Sequence, residues 1–257
     1  MLRPRIIPCL LISDGGLVKT VRFKDPKYVG DPINAVRIFN EKECDELIAL
    51  DIDATRERRE PDYELISHLA TECRMPLCYG GGITTTEQAQ KIISLGVEKV
   101  AIGSAGIHNP GLLSEIAKEL GSQSVVVILD VKKSLFGQYE VWSENGKKKT
   151  KRSAVDAAHA AQKLGAGEIV INSIDNDGMM KGYDLELARL IRKEVSLPLT
   201  FLGGAGSHDD IAKLIAEVGV VGAAAGSLFV FKGTYRAVLI NYPTPSERDG
   251  IIAQAAR

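Results

Sequence analysis

A (β/α)8 barrel (TIM barrel) assembled from two homologous half-barrels is the fold this sequence predicts, and three observations carry it. Eight short, almost wholly apolar runs alternate with helix-like segments along the 257 residues, as expected of parallel strands buried on both faces. The sequence also repeats itself. Pro76-Leu77-Cys78-Tyr79-Gly80-Gly81-Gly82-Ile83 returns as Pro198-Leu199-Thr200-Phe201-Leu202-Gly203-Gly204-Ala205, so that Gly81 and Gly203, like Gly82 and Gly204, lie 122 positions apart. Residues 96–104 return as 219–227 at an offset of 123, and residues 45–51 as 167–173 at an offset of 122. Finally, no stretch of linker composition interrupts the chain, and right-handed crossovers leave eight parallel strands few other arrangements. The expected organisation is one domain over 1–257, with half-barrels of about 1–122 and 123–257.

Taken in order, the first strand spans Ile6 to Ile12 and ends in the turn chemistry of Ser13-Asp14-Gly15-Gly16. Leu17 to Asp31, with Lys19, Arg22, Lys24 and Lys27, reads as a long mobile loop. Asp31-Pro32 opens a helix, Asp as N-cap and Pro at its first position. The second strand, Glu46 to Ile52, leads into the charged segment Arg56 to Glu60, and a helix from Pro61 sets Leu65, Ile66 and Leu69 at helical spacing. The glycine-paired third strand, a helix over Thr86 to Leu95 and a strand over Val100 to Ile102 complete the first half. Gly121 stops a helix over Leu112 to Leu120, and the fifth strand, Val125 to Asp130, is apolar until it ends on an acid. Between Lys132 and Arg152, Tyr139-Glu140-Val141-Trp142 and Asn145-Gly146-Lys147-Lys148-Lys149 predict a β-hairpin laid over the strand ends. From Ala154 to Leu239 the chain returns to helix and strand.

Composition excludes more than it identifies. With 45% hydrophobic and 25% charged residues and a net charge of -1, the chain gives no global signal for nucleic acid or a membrane. Cys9, Cys44, Cys73 and Cys78 show no metal-binding spacing and read as reduced thiols of a cytoplasmic protein. No signal peptide or membrane span is expected behind Met1-Leu2-Arg3-Pro4-Arg5, and no cofactor or metal is implied.

In a (β/α)8 barrel chemistry sits at the C-terminal strand ends, which singles out Asp14, Asp51, Asp53, Asp130, Asp175 and Asp177 with the glycine sites. A single glycine pair ordinarily just turns a strand into a loop. Two pairs at matched offsets, each leaving backbone N–H groups bare and allowing positive φ, suggest a duplicated phosphate cradle. A lysine run is ordinarily a solvated face, but this one shares the rim with both cradles.

These residues resemble the cyclase subunit of imidazole glycerol phosphate synthase, HisF. The resemblance covers almost the whole chain and rests on Arg5-Ile6-Ile7-Pro8-Cys9-Leu10, Gly30-Asp31-Pro32, Leu50-Asp51-Ile52, Gly80-Gly81-Gly82-Ile83, Gly165-Ala166-Gly167-Glu168-Ile169, Ser173-Ile174-Asp175, Asp177-Gly178 and Gly203-Gly204-Ala205-Gly206. It implies a heterodimer with a HisH-type glutaminase, which docks at the N-terminal face of the barrel and sends ammonia through it to a bisphosphorylated substrate. One phosphate would lie at Gly81, Gly82, Gly103 and Ser104 and the other at Gly203, Gly204, Gly226 and Ser227, with Lys19, Asp51 and Asp177 also in the substrate site. An ammonia gate would be formed by Arg5, Glu46, Lys99 and Glu168, which without the resemblance would read as ordinary surface ion pairs.

One position departs from the pattern. The family pairs a catalytic aspartate at the end of the first strand with another at the end of the fifth; here Asp130 is present, but its partner is Leu11. Leucine carries no proton, so paired acid–base ring closure is in doubt while ammonia delivery and phosphate binding are not. HisF-like proteins with such a first strand accompany a HisH-like glutaminase and a separate amidotransferase that builds acetamidino groups on surface-polysaccharide sugars. The resemblance thus implies such a paralogue, with a histidine-pathway cyclase as one alternative and a non-catalytic subunit that activates the glutaminase as another.

Overall fold

The alternation of side chains along eight strands generates both the barrel and its contents. The computed structural model describes residues 3–255. Its barrel strands are Arg5–Ser13, Leu47–Asp51, Leu77–Gly80, Lys99–Ile102, Val125–Lys133, Glu168–Ser173, Leu199–Leu202 and Gly222–Ala225. Each pairs in parallel with the next, and the eighth with the first, so the sheet closes on itself. A period of two sends every second residue inward. Ile7, Cys9, Ile48, Cys78, Ala101, Val126, Ile128, Val170, Leu202 and Ala224 form a buried cluster in the lumen, with Leu11 and Leu50 against it. The outward residues, among them Ile6, Leu10, Leu47, Val100 and Ile169, pack beneath the helices in a second, larger cluster.

The inward rows fix the two ends of the barrel. Arg5, Ile7, Cys9 and Leu11 form one row; Glu168, Val170 and Asn172 form another. Charge therefore lies at the N-terminal end of each row, and Leu11 and Asn172 at the mouth.

Helix starts follow local chemistry. Asp31 accepts from Asn34 N at 2.8 Å to cap Pro32–Glu41, and Thr85 and Ser207 form reciprocal capping boxes on Thr86–Ser94 and His208–Val218.

The segment expected to be a loop over Leu17 to Asp31 is instead an antiparallel hairpin, Gly16–Val21 against Lys24–Gly30. It continues the first barrel strand through pairs such as Leu11 with Val18 and Ile12 with Leu17. Leu17 is wholly buried, and Arg22 and Phe23 make the turn with φ of 51° and 62°. A second hairpin, Tyr139–Ser143 with Lys148–Ser153, lies where it was expected, but the fifth strand runs on to Lys133 to pair with it.

Candidate active site

The C-terminal mouth of the barrel is a pocket lined by Cys9, Leu11, Leu50, Ile128 and Leu202 from below and by both glycine cradles at the rim. It also contains Lys19, Asp51, Asp130 and Asp177, so it brings together every residue expected at the catalytic and substrate sites. The floor residues lie at the opposite end.

Asp130 lies in this pocket with Asp51 and Asp177. Burial pushes its carboxyl from the ordinary 3.8 up to about 7; the hydrogen bond from Asn172 Nδ2, at 3.0 Å, opposes that shift and the charge of Asp177 adds to it. The group therefore exchanges a proton near neutral pH, which suits general acid–base chemistry. Leu11 lines the same pocket and supplies no second acid.

Lys19 and Asp177 tie the first hairpin down. Lys19 Nζ meets Asp177 Oδ1 at 2.6 Å, and Asp177 Oδ2 accepts from Thr20 Oγ1 at 2.8 Å and Phe23 N at 3.2 Å. This buried pair is why the segment is a fixed hairpin. Asp51 braces the first cradle: its Oδ1 accepts from Asp53 N and Ala54 N at 2.9 and 3.0 Å, and its Oδ2 pairs with Arg59 at 3.0 Å. Gly81 lies so close that a Cβ there would be 2.5 Å from the Asp51 carbonyl. Asp53 accepts from Ser13 Oγ at 2.6 Å, and Asp175 accepts from Lys133 N at 3.0 Å, so both hold strand ends in place.

At the floor, four charges close a ring of alternating sign. Arg5 donates to Glu46 and, at 2.7 Å, to Glu168; Lys99 Nζ lies 2.7 Å from Glu46 and 2.9 Å from Glu168. Thr200 Oγ1 donates to Glu168 at 2.6 Å. Burial alone would raise the Glu168 carboxyl, but Arg5 and Lys99 outweigh it and hold it at about 2. Lys99 is raised in turn, since its two carboxylates overcome the opposing effect of burial.

Sequence reasoning missed Asn172 and Thr200, although the inward period from Glu168 and the repeat unit give their positions. It also missed Phe23 and Asn145, which line the mouth from the two hairpin tips. No local signal marks those two, because they meet the pocket only through tertiary folding.

A family model described as histidine biosynthesis protein matches residues 5–236. The chain belongs to this family. A Vibrio vulnificus protein provisionally named imidazole glycerol phosphate synthase subunit hisF3 is 60% identical over 249 residues, covering 96% of each chain. A Pseudomonas aeruginosa protein, provisionally named subunit hisF2, is 56% identical over 249 residues, covering 97% of this chain and 99% of its own. The imidazole glycerol phosphate synthase subunit HisF of Alkaliphilus metalliredigens is 42% identical over 229 residues, covering 89% of this chain and 91% of its own. The protein is thus a HisF-like subunit. Among the described residues no cluster of His, Cys, Asp or Glu has the makings of a metal site, and no helix is long and apolar enough to cross a membrane.

Proposed function

We propose that this HisF-like chain receives ammonia from a HisH-type glutaminase at the N-terminal face, passes it through the lumen and delivers it at the mouth. Its place would be that of a paralogue in acetamidino-sugar synthesis for bacterial surface polysaccharide, with a separate sugar amidotransferase as the final user of the nitrogen. The observation that carries this reading is the contrast between the ends of one strand: Arg5 keeps its place in a complete charged ring, while Leu11 puts a hydrocarbon where ring closure needs an acid. The numbered names of the hisF3 and hisF2 relatives support a paralogue.

The geometry suits neutral ammonia. Between ring and mouth the barrel interior is packed with Ile7, Cys9, Ile48, Cys78, Val126 and Val170, an apolar surrounding in which ammonium would lose its hydration without gaining a partner. The ring itself is a closed set of ion pairs, and breaking one side leaves a buried charge unmatched. Lys99, whose flexible stem ends in an ammonium bonded only to Glu46 and Glu168 while Arg5 also reaches Thr200, would be the member to swing aside when a partner docks. At the mouth, a phosphorylated acceptor would be held by the glycine cradles with Lys19 and Asp177, and Asp130 would take or give a proton.

A second reading, the histidine-pathway cyclase, draws on Asp130, whose titration near neutrality is what ring closure asks of one of its two acids. Complementation separates the two. A histidine auxotroph lacking the cyclase should not grow on this gene, since one absent acid–base group costs about 100-fold to 10,000-fold in rate. Healthy growth at ordinary expression would establish the cyclase reading instead.

A further inference from the structure

The charged floor is braced from outside the barrel by the far end of the chain. The first two barrel strands share backbone pairs from Cys9 with Ile48 up to Ile12 with Asp51. Nearer the floor, Ile6 finds other partners: its N donates to Asp45 Oδ2 at 2.9 Å, and its carbonyl accepts from Tyr242 Oη at 2.8 Å. The same Tyr242 oxygen accepts from Asp45 N at 3.2 Å. One hydroxyl thus bridges the backbones of Ile6 and Asp45, where the two strands have no backbone pair of their own. The residues next to these two in the chain are Arg5 and Glu46, which meet in the ring.

Tyr242 and Asp45 are themselves fixed. The buried Tyr242 ring packs on Phe39 and Phe229, with centroids 6.4 and 5.4 Å away. Asp45 Oδ1 meets Arg3 at 2.8 Å and Arg248 at 3.1 Å. Arg248, buried on the C-terminal helix Pro245–Ala255, also donates to the Glu43 carbonyl at 2.7 Å. A buried carboxylate held in this way stays in place only while its partners do. The bonds of this cluster go to its own members and to backbone, so what it can impose on the ring is position. Arg5 has to reach Glu46 and, at 2.7 Å, Glu168 at once. A change in the spacing of the first two strands moves Arg5 against both carboxylates, and hydrogen bonds weaken steeply as their geometry is lost.

We infer that Tyr242 is a positioning residue for the floor ring: its hydroxyl, with Asp45 held by Arg248, sets the spacing of the two strands that carry Arg5 and Glu46, and so ties the ring to the C-terminal segment. The inference rests on reading the ring as the ammonia gate, and adds to it a control that lies outside the lumen.

Tyr242→Phe removes the hydroxyl and keeps the aromatic packing. Carboxyl carbon NMR on the isolated full chain reads the result at Glu168, on the sixth barrel strand, whose carboxyl is raised by burial but brought down to about 2 by Arg5 and Lys99. At about pH 3 this group should be mostly ionised in the wild type and about half protonated in Tyr242→Phe, an upward shift of about one unit as Arg5 leaves its place. Arg248→Gln should move Glu168 in the same direction. Tyr183→Phe is the control, because Tyr183 Oη also donates to a strand carbonyl, that of Ala224 at 2.9 Å, and its loss should leave Glu168 unchanged. Equal ionisation of Glu168 in Tyr242→Phe and the wild type, even with stability lowered, would overturn the inference, as would an equal shift in Tyr183→Phe. The gate is tested separately in the complex with the glutaminase, where Tyr242→Phe should alter barrel-dependent glutamate release in the direction that Lys99→Ala does. A shifted Glu168 with unaltered release would support the positioning role and count against the gate.

Discussion

At Asp130 the folded chain prefers the protonated carboxyl, and this fixes the sign of a pH effect. Burial raises the group from 3.8 to about 7, so between those values the unfolded chain has released a proton that the folded chain retains. The contribution of Asp130 to stability is therefore complete in acid and is lost as pH rises through about 7. Asp130→Asn keeps the shape and removes the titration. The variant should gain on the order of 2–4 kcal/mol relative to the wild type between pH 4 and pH 8, read from urea denaturation at both. A constant difference across that range would show that Asp130 is not held protonated. Glu168 has the opposite sign: its carboxyl is held at about 2 against an ordinary 4.5. The stability it contributes is present above 4.5 and is lost as pH falls towards 2.

The third and seventh barrel strands run into glycine pairs because backbone from other elements passes where a side chain would be. At Gly204, φ is 110° and an added Cβ would lie 2.0 Å from the Gly182 carbonyl. Gly204→Ala should therefore cost at least about 2 kcal/mol from backbone strain and overpacking together, measured as a fall in denaturation midpoint. A loss below half of that would mean the loop carrying Gly182 yields freely. Elements of this kind were legible in the sequence, since the glycine pairs repeat at a fixed offset, whereas Arg5, Glu46, Lys99 and Glu168 stood out as one set only through the resemblance to HisF. The first hairpin was not legible as strand. Its outer strand, Lys24–Gly30, is mostly exposed and polar, and what orders it is the distant Asp177, which pairs with Lys19 and accepts from Thr20 and Phe23.

Across the whole molecule, a closed charged ring lies at one end of the barrel, a packed apolar interior in the middle and the buried Asp130 at the other end. A ring serving only stability would be an expensive device, since replacing buried ion pairs with packed hydrocarbon is often neutral or stabilising. Its retention beside a mouth that carries Leu11 is the basis for placing the function in transfer between subunits. The most direct test is to purify this chain with the glutaminase encoded beside it, measure their association, and follow glutamate release with and without the barrel and with Lys99→Ala. The account predicts a stable complex, faster glutamate release when the barrel is present, and a Lys99→Ala complex that still assembles but in which glutamine hydrolysis responds differently to the barrel. Two folded proteins that do not associate, or a glutaminase indifferent to the barrel, would contradict it.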